Sequence, residues 1–100
     1  MKVYDHPPIR SITLPMVMQA LSDPCRIAII RELIIKNRPL ACNEVPLDVS
    51  KATRSHHFEV LRSAGLISTE VEGTKCMSSL RKRELDEKYP GLLALVLRAE

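Results

Sequence analysis

The run from Asp23 to Lys36 constrains the fold more than any other stretch of the chain. Asp23 can cap a helix, Pro24 suits its first position, and Ile27, Ala28, Ile30, Leu33 and Ile34 follow. The apolar stripe is too wide for a surface helix, so this one is expected near the middle of the molecule. It should stop near Asn37, because Pro39 disfavours helix in the residue before it.

What packs around that helix is limited by composition. Hydrophobic residues make up 45% of the 100-residue chain but aromatics only 3%, so the core must be aliphatic. That favours packed helices over a β-sandwich. A single domain of this size buries only part of its chain surface, and a subunit partner would help it.

The other elements follow from local signals. Residues 1–10 read as a loosely ordered N-terminal arm, since Pro7-Pro8 cannot join a helix interior. The domain proper is expected over 11–100. Ile12 to Leu21 is a first helix, provided Pro15 lies in its opening turn. Leu40 to Val49 reads as a short extended piece followed by a short helix. Ser50 caps the next helix, which runs to Ser63 and ends at Gly65. Leu66–Val71 and Thr74–Leu80 are strands flanking a Glu72-Gly73 turn. A last segment starts at Glu84 or Asp86, breaks at Pro90-Gly91, and finishes as an apolar helix over Leu92–Leu97. The expected class is mostly α with a small β-hairpin wing, in the order α-α-(β)-α-α-β-β-α. Two short adjacent helices followed by a hairpin make a winged helix-turn-helix.

Function is sought on the Ser50–Ser63 helix. Phe58, Leu61 and Ala64 can face inward with Ala52. Lys51, Thr53, Arg54, Ser55 and His56 then crowd the N-terminal end, which is the end that enters the major groove of DNA in a helix-turn-helix. Lysine and arginine pair with phosphate or guanine, while serine, threonine and histidine donate to phosphates or base edges. His57 is expected to pack or to contact phosphate, and Arg62 joins the DNA-facing set. Lys75, beside the turn, can reach phosphate from the wing, although Glu70 and Glu72 oppose contact there. The net charge of +3 permits nucleic-acid binding without demanding it. Arg81-Lys82-Arg83 alone reads as solvated surface.

Three segments together resemble the ArsR/SmtB family of bacterial winged-helix repressors. They are Ala20-Leu21-Ser22-Asp23-Pro24-Cys25-Arg26-Ile27-Ala28-Ile29-Ile30, Ser50-Lys51-Ala52-Thr53-Arg54-Ser55-His56-His57, and Leu61-Arg62-Ser63-Ala64-Gly65-Leu66-Ile67 with Glu72-Gly73-Thr74. The likeness spans about residues 16 to 97. It implies a homodimer joined by the first and last helices, which suits the apolar stretches Met16–Leu21 and Leu92–Leu97. It also implies a near-palindromic duplex operator, and repression until an inducer lowers DNA affinity. Arg54 stands where the family usually has an apolar residue. Either it enters the groove or the helix packs differently there.

The inducer is less constrained. The resemblance implies metal sites of two kinds, a Cys-x-Cys pair or a His-carboxylate set on the last helix. Here Cys42 stands alone in Leu40-Ala41-Cys42-Asn43-Glu44, and no histidine occurs in Leu92–Glu100. The spacing therefore supports no metal site and no cofactor. A shared metal between His56 and His57 is opposed by their different helix faces, and His6 reads as solvated. A thiol switch is the sharper reading. Cys25 lies near a helix start beside Arg26, while Cys42 and Cys76 become neighbours if the Leu40 piece pairs with the second wing strand. The plain alternative is that all three cysteines are small buried apolar residues.

Other classes fare worse. No nucleophile motif, phosphate loop or HExxH pair points to an enzyme. A metal- or small-molecule-responsive repressor is one alternative; a winged helix that binds protein rather than DNA is the second, separable by the salt dependence of DNA binding. No stretch reaches the roughly 18 apolar residues needed to cross a bilayer. The N-terminus lacks an apolar signal region, so a cytoplasmic location is expected, with its three cysteines as free thiols.

Overall fold

The computed structural model describes residues 3–98. Residues 1 and 2 of the expected arm, and 99 and 100 of the expected domain, lie outside the described residues. The elements in chain order are α1 (Leu14–Ala20), α2 (Pro24–Lys36), β1 (Leu40–Ala41), α3 (Lys51–Ser63), β2 (Ile67–Glu72), β3 (Lys75–Leu80), α4 (Lys82–Lys88) and α5 (Leu92–Arg98). Single 3-10 turns cover Ile9–Ser11 and Cys42–Glu44. The result is a winged helix-turn-helix: among the described residues, five helices and a three-stranded antiparallel sheet in the order β1-β3-β2.

Helix α2 is central, as its apolar pattern requires. It packs against α5, α3 and β3, and only Pro24, Ile35 and Lys36 of its residues are exposed. Asp23 caps it, accepting from the amides of Cys25 and Arg26. Asn37 ends it in the left-handed conformation at φ 53°, a residue type that tolerates this region.

Four boundaries differ from the sequence reading. Helix α1 starts at Leu14 rather than Ile12, because Ile12 leaves the helix to enter the core, where it is 1% exposed. Thr13 becomes the cap and Pro15 lies in the first turn. The short helix expected before Val49 is reduced to the Cys42–Glu44 turn. Pro46 forbids its continuation by holding Val45 extended at φ −87°, ψ 121°. The wing turn is Gly73-Thr74, since Glu72 pairs with Lys75. Gly73 alone of the two has positive φ, at 64°, the pattern of a type II′ hairpin. Finally, α4 begins at Lys82. Arg81 precedes it and grips Glu84 through two guanidinium bonds of 2.9 and 3.0 Å.

The described residues before the first 3-10 turn are tied down against the wing and Arg81. Pro7 carbonyl accepts from Arg81 at 2.8 Å. His6 Nε2, expected in solvent, accepts from the Thr69 amide at 2.9 Å, although the residue as a whole is exposed. The Tyr4 hydroxyl meets Cys76 Sγ at 3.1 Å.

Candidate nucleic-acid interface

Helix α3 is amphipathic, and the fold decides which of its polar residues are available. Phe58 and Leu61 are buried on the inner side, with Ala64 just beyond the helix. Ser50 starts the helix, its Oγ accepting from the Thr53 amide at 3.2 Å and donating to Thr53 Oγ1 at 3.0 Å. At the other end, the Leu66 amide bonds back to the Leu61 carbonyl, and Gly65 takes φ +78°. The helix therefore has fixed ends and leads directly into the wing.

The exposed residues at its N-terminal half are Lys51, Ala52, Thr53, Ser55 and His56. Ala52 thus faces solvent rather than the core. One cation, two hydroxyls and an imidazole remain, beside free helix amides at a positive dipole end. On the wing, Lys75 is exposed next to the turn. The Ala41 amide and Arg38 hold the Glu44 carboxyl below its usual range, and the charge of Lys75 adds a smaller share. Arg38 is a second exposed cation on this side, bonded to Glu44 at 3.0 Å. Sequence reasoning missed it, because only the β1–β3 pairing brings it toward the wing.

Three residues expected to face DNA are engaged elsewhere. His57 is buried. Its Nδ1 is 3.1 Å from Arg26 Nη1, and its Nε2 is 4.0 Å from Asp23 Oδ1. Of its two expected roles it takes packing. Arg54 is half-buried and donates to the Leu47 carbonyl at 3.2 Å, which ties it to the turn before α3. This is the different packing that an arginine at that position requires. Arg62 lies 4.2 Å from the centre of the Tyr4 ring and donates to Thr69 Oγ1 at 3.2 Å, bonding arm to wing. Thr69 in turn meets the fully buried Ser78 at 3.0 Å.

The Arg81-Lys82-Arg83 run is also internally paired. Besides Arg81 with Glu84, Lys82 meets Asp86 and Arg83 meets Glu87.

The cysteines separate into two places. β1 pairs with β3 through Leu40↔Ser78 and Ala41↔Met77, so Cys42 is one step past the ladder, on the side of Cys76. Both thiols are free and half-buried. Burial pushes the Cys42 thiol up, and the neighbouring Cys76 adds to this. The bond to Cys76 likewise pushes the Tyr4 phenol up. Cys25 lies instead with Asp23 and His57 at the junction of α2 and α3. Burial pushes Asp23 up, but the amides of Cys25 and Arg26, with the charges of His57 and Arg26, outweigh it and hold the carboxyl below its ordinary value. Among the described residues, no helix is long and apolar enough to cross a membrane.

No family model matches the chain. Over 79 residues it is 39% identical to the uncharacterized HTH-type transcriptional regulator YceK of Bacillus subtilis (strain 168), covering 77% of this chain and 79% of that protein. Its fold is similar to the crystal structure of an ArsR family transcriptional regulator, with a TM-score of 0.66 and 26% identity, over 75% of this chain and 82% of that one.

Proposed function

Because the chain belongs to the ArsR family of winged helix-turn-helix transcriptional regulators, we propose that it is a homodimeric repressor that reads a near-palindromic operator with α3. The observation that carries this reading is the exposed set Lys51, Thr53, Ser55 and His56 on a helix whose opposite side is locked by Phe58 and Leu61. Such a set approaches the major groove end-on, with Lys75 reaching a phosphate from the wing. In this reading residues 1–10 are an arm, and 11–100 carry both DNA binding and dimerisation.

Dimerisation uses α1 and α5. Leu14, Met18 and Leu95 are each about half exposed, and they line one shallow groove with Tyr89 and Leu92. A monomer leaves that apolar face in water; a second copy covers it. Twofold symmetry then sets the two α3 helices roughly 34 Å apart, on successive major grooves.

Thiol oxidation is the inducer that the geometry favours. A ladder continued by one residue would bring the Cys42 and Cys76 Cα atoms to about 4.5–5.5 Å, inside the range a disulfide tolerates. Bond formation removes two thiol protons and two electrons, which a peroxide accepts. The new bond would pull on β3 and on the arm through Tyr4. The protein works in the cytoplasm, where the thiols stay reduced until such an oxidant arrives.

The experiment measures operator binding by the reduced protein, after peroxide, and after added reductant. Affinity should fall and then recover, and Cys42→Ser should remove the fall while sparing reduced binding. A Cys42→Ser protein that still responds would remove the pair from the mechanism. Lys51→Ala should weaken binding with the fold intact; equal affinity would remove α3 from the interface.

A further inference from the structure

His57 is a buried ionisable residue, and DNA reading has no use for it. Its ring faces the start of α2. There one donor atom each of Asp23, Cys25 and His57 lie within 4.8 Å of one another, the one such group of three among the described residues. We propose that Asp23, Cys25 and His57 form a binding site for a thiophilic divalent cation of the zinc class, joining α2 to α3.

The donor set is one oxygen, one sulfur and one nitrogen, a mixture that borderline-soft cations accept. At metal–ligand lengths of 2.0–2.3 Å, tetrahedral donors stand about 3.3–3.8 Å apart. The three atoms must therefore close by about one ångström. Asp23 and Cys25 are only half-buried and have room to do so, whereas His57 is fixed by packing. A fourth position is left for water. The α2 cap uses Asp23 Oδ1, and the carboxylate has a second oxygen.

The proton balance is definite. Without metal, Arg26 donates to Nδ1. A cation on Nε2 takes that lone pair and the proton sits on Nδ1, which can no longer accept from Arg26. Cys25 binds as thiolate and releases its proton, so affinity rises with pH. Arg26 keeps its bond to the Ala20 carbonyl, at 2.6 Å. A purely structural Asp23–His57–Arg26 contact leaves the thiol of Cys25 unused; the cation site employs it.

Any effect of the cation on transcription rests on the DNA-binding reading above, but the site does not. The test is a Co(II) titration of the reduced full chain. One ion per protomer is expected, with a thiolate-to-cobalt charge-transfer band and visible bands of four-coordinate cobalt. Cys25→Ser should lose the charge-transfer band and at least about tenfold in affinity; being half-buried, it should fold. His57→Gln, with its fold checked by circular dichroism, should do the same. A Cys42→Ser/Cys76→Ser double variant should keep the band. No band at one equivalent, undiminished binding by Cys25→Ser, or a band lost with Cys42 and Cys76 would overturn the proposal. Operator binding measured on the same samples distinguishes failure of this site from failure of the repressor reading.

Discussion

Replacing Gly65 by alanine tests the joint on which the fold turns, where α3 passes into the wing. Gly65 sits at φ +78°, and a Cβ built there falls 2.5 Å from both Cδ1 and Cγ1 of Ile12. Two penalties combine. Holding a non-glycine residue in the left-handed region costs roughly 1–2 kcal/mol. Forcing a methyl into a filled core costs about 1–3 kcal/mol. Ile12 cannot easily give way, since it is 1% exposed and its carbonyl accepts from both Lys88 Nζ and Tyr89 Oη. The expected loss is about 2–5 kcal/mol, a large part of the 5–15 kcal/mol typical of a domain. Denaturant unfolding at fixed protein concentration measures it. Ile12→Ala removes both clashing carbons, so the double variant should recover the steric share, about 1–3 kcal/mol relative to additivity, and leave the backbone share. A Gly65→Ala protein within about 0.5 kcal/mol of the parent, or strictly additive losses, would refute the reasoning.

Other perturbations separate the remaining roles. Arg54→Ala should cost roughly 1–2 kcal/mol of stability through the lost bond to Leu47 and leave base preference unchanged; a relaxed preference in a binding-site selection would return Arg54 to the groove. Leu95→Lys places a charge on the exposed α1–α5 face and should yield monomers in analytical ultracentrifugation; an intact dimer would move the interface elsewhere. Asp23 and Glu84 are both held below their ordinary values in the fold, Glu84 chiefly by the hydrogen bonds from Arg81. Depressed carboxyls stabilise the protein fully above their unfolded values of about 3.9 and 4.3, and this is lost as pH falls through the folded values. The urea midpoint should therefore decline below about pH 4.5, and less steeply in Asp23→Asn; a midpoint that rises on acidification would contradict those assignments.

Much of the fold was legible because its signals are local. Asp23-Pro24 starts α2 where expected, Ser50 starts α3, and Gly65 and Gly73 take the positive φ that a helix end and a hairpin need. The central place of α2 followed from the width of its apolar stripe. What was not legible depends on distant partners. Ile12 is drawn out of α1 by the space beside Gly65, and His6 by the Thr69 amide. The site divides in the same way. Exposure of Lys51, Thr53, Ser55 and His56 follows from helical period, but the same period cannot tell that Arg54, His57 and Arg62 have acceptors or rings waiting on Leu47, Asp23, Thr69 and Tyr4. The Asp23–Cys25–His57 group was hidden for the same reason: α2 and α3 must pack before His57 meets residues 34 and 32 positions earlier in the chain.

Duplex affinity across a salt series tests the central claim most directly, using DNA from upstream of the protein's own reading frame against a shuffled sequence. Two contacting lysines per protomer, Lys51 and Lys75, give a dimer a slope of log affinity on log salt of about −3.6 or steeper, at about 0.9 per phosphate. Specific binding should exceed shuffled binding by roughly a thousandfold or more, and Lys51→Ala should lower the slope by about 1.8. Affinity that ignores both salt and sequence would contradict a DNA-reading α3 and make this winged helix a protein-binding module.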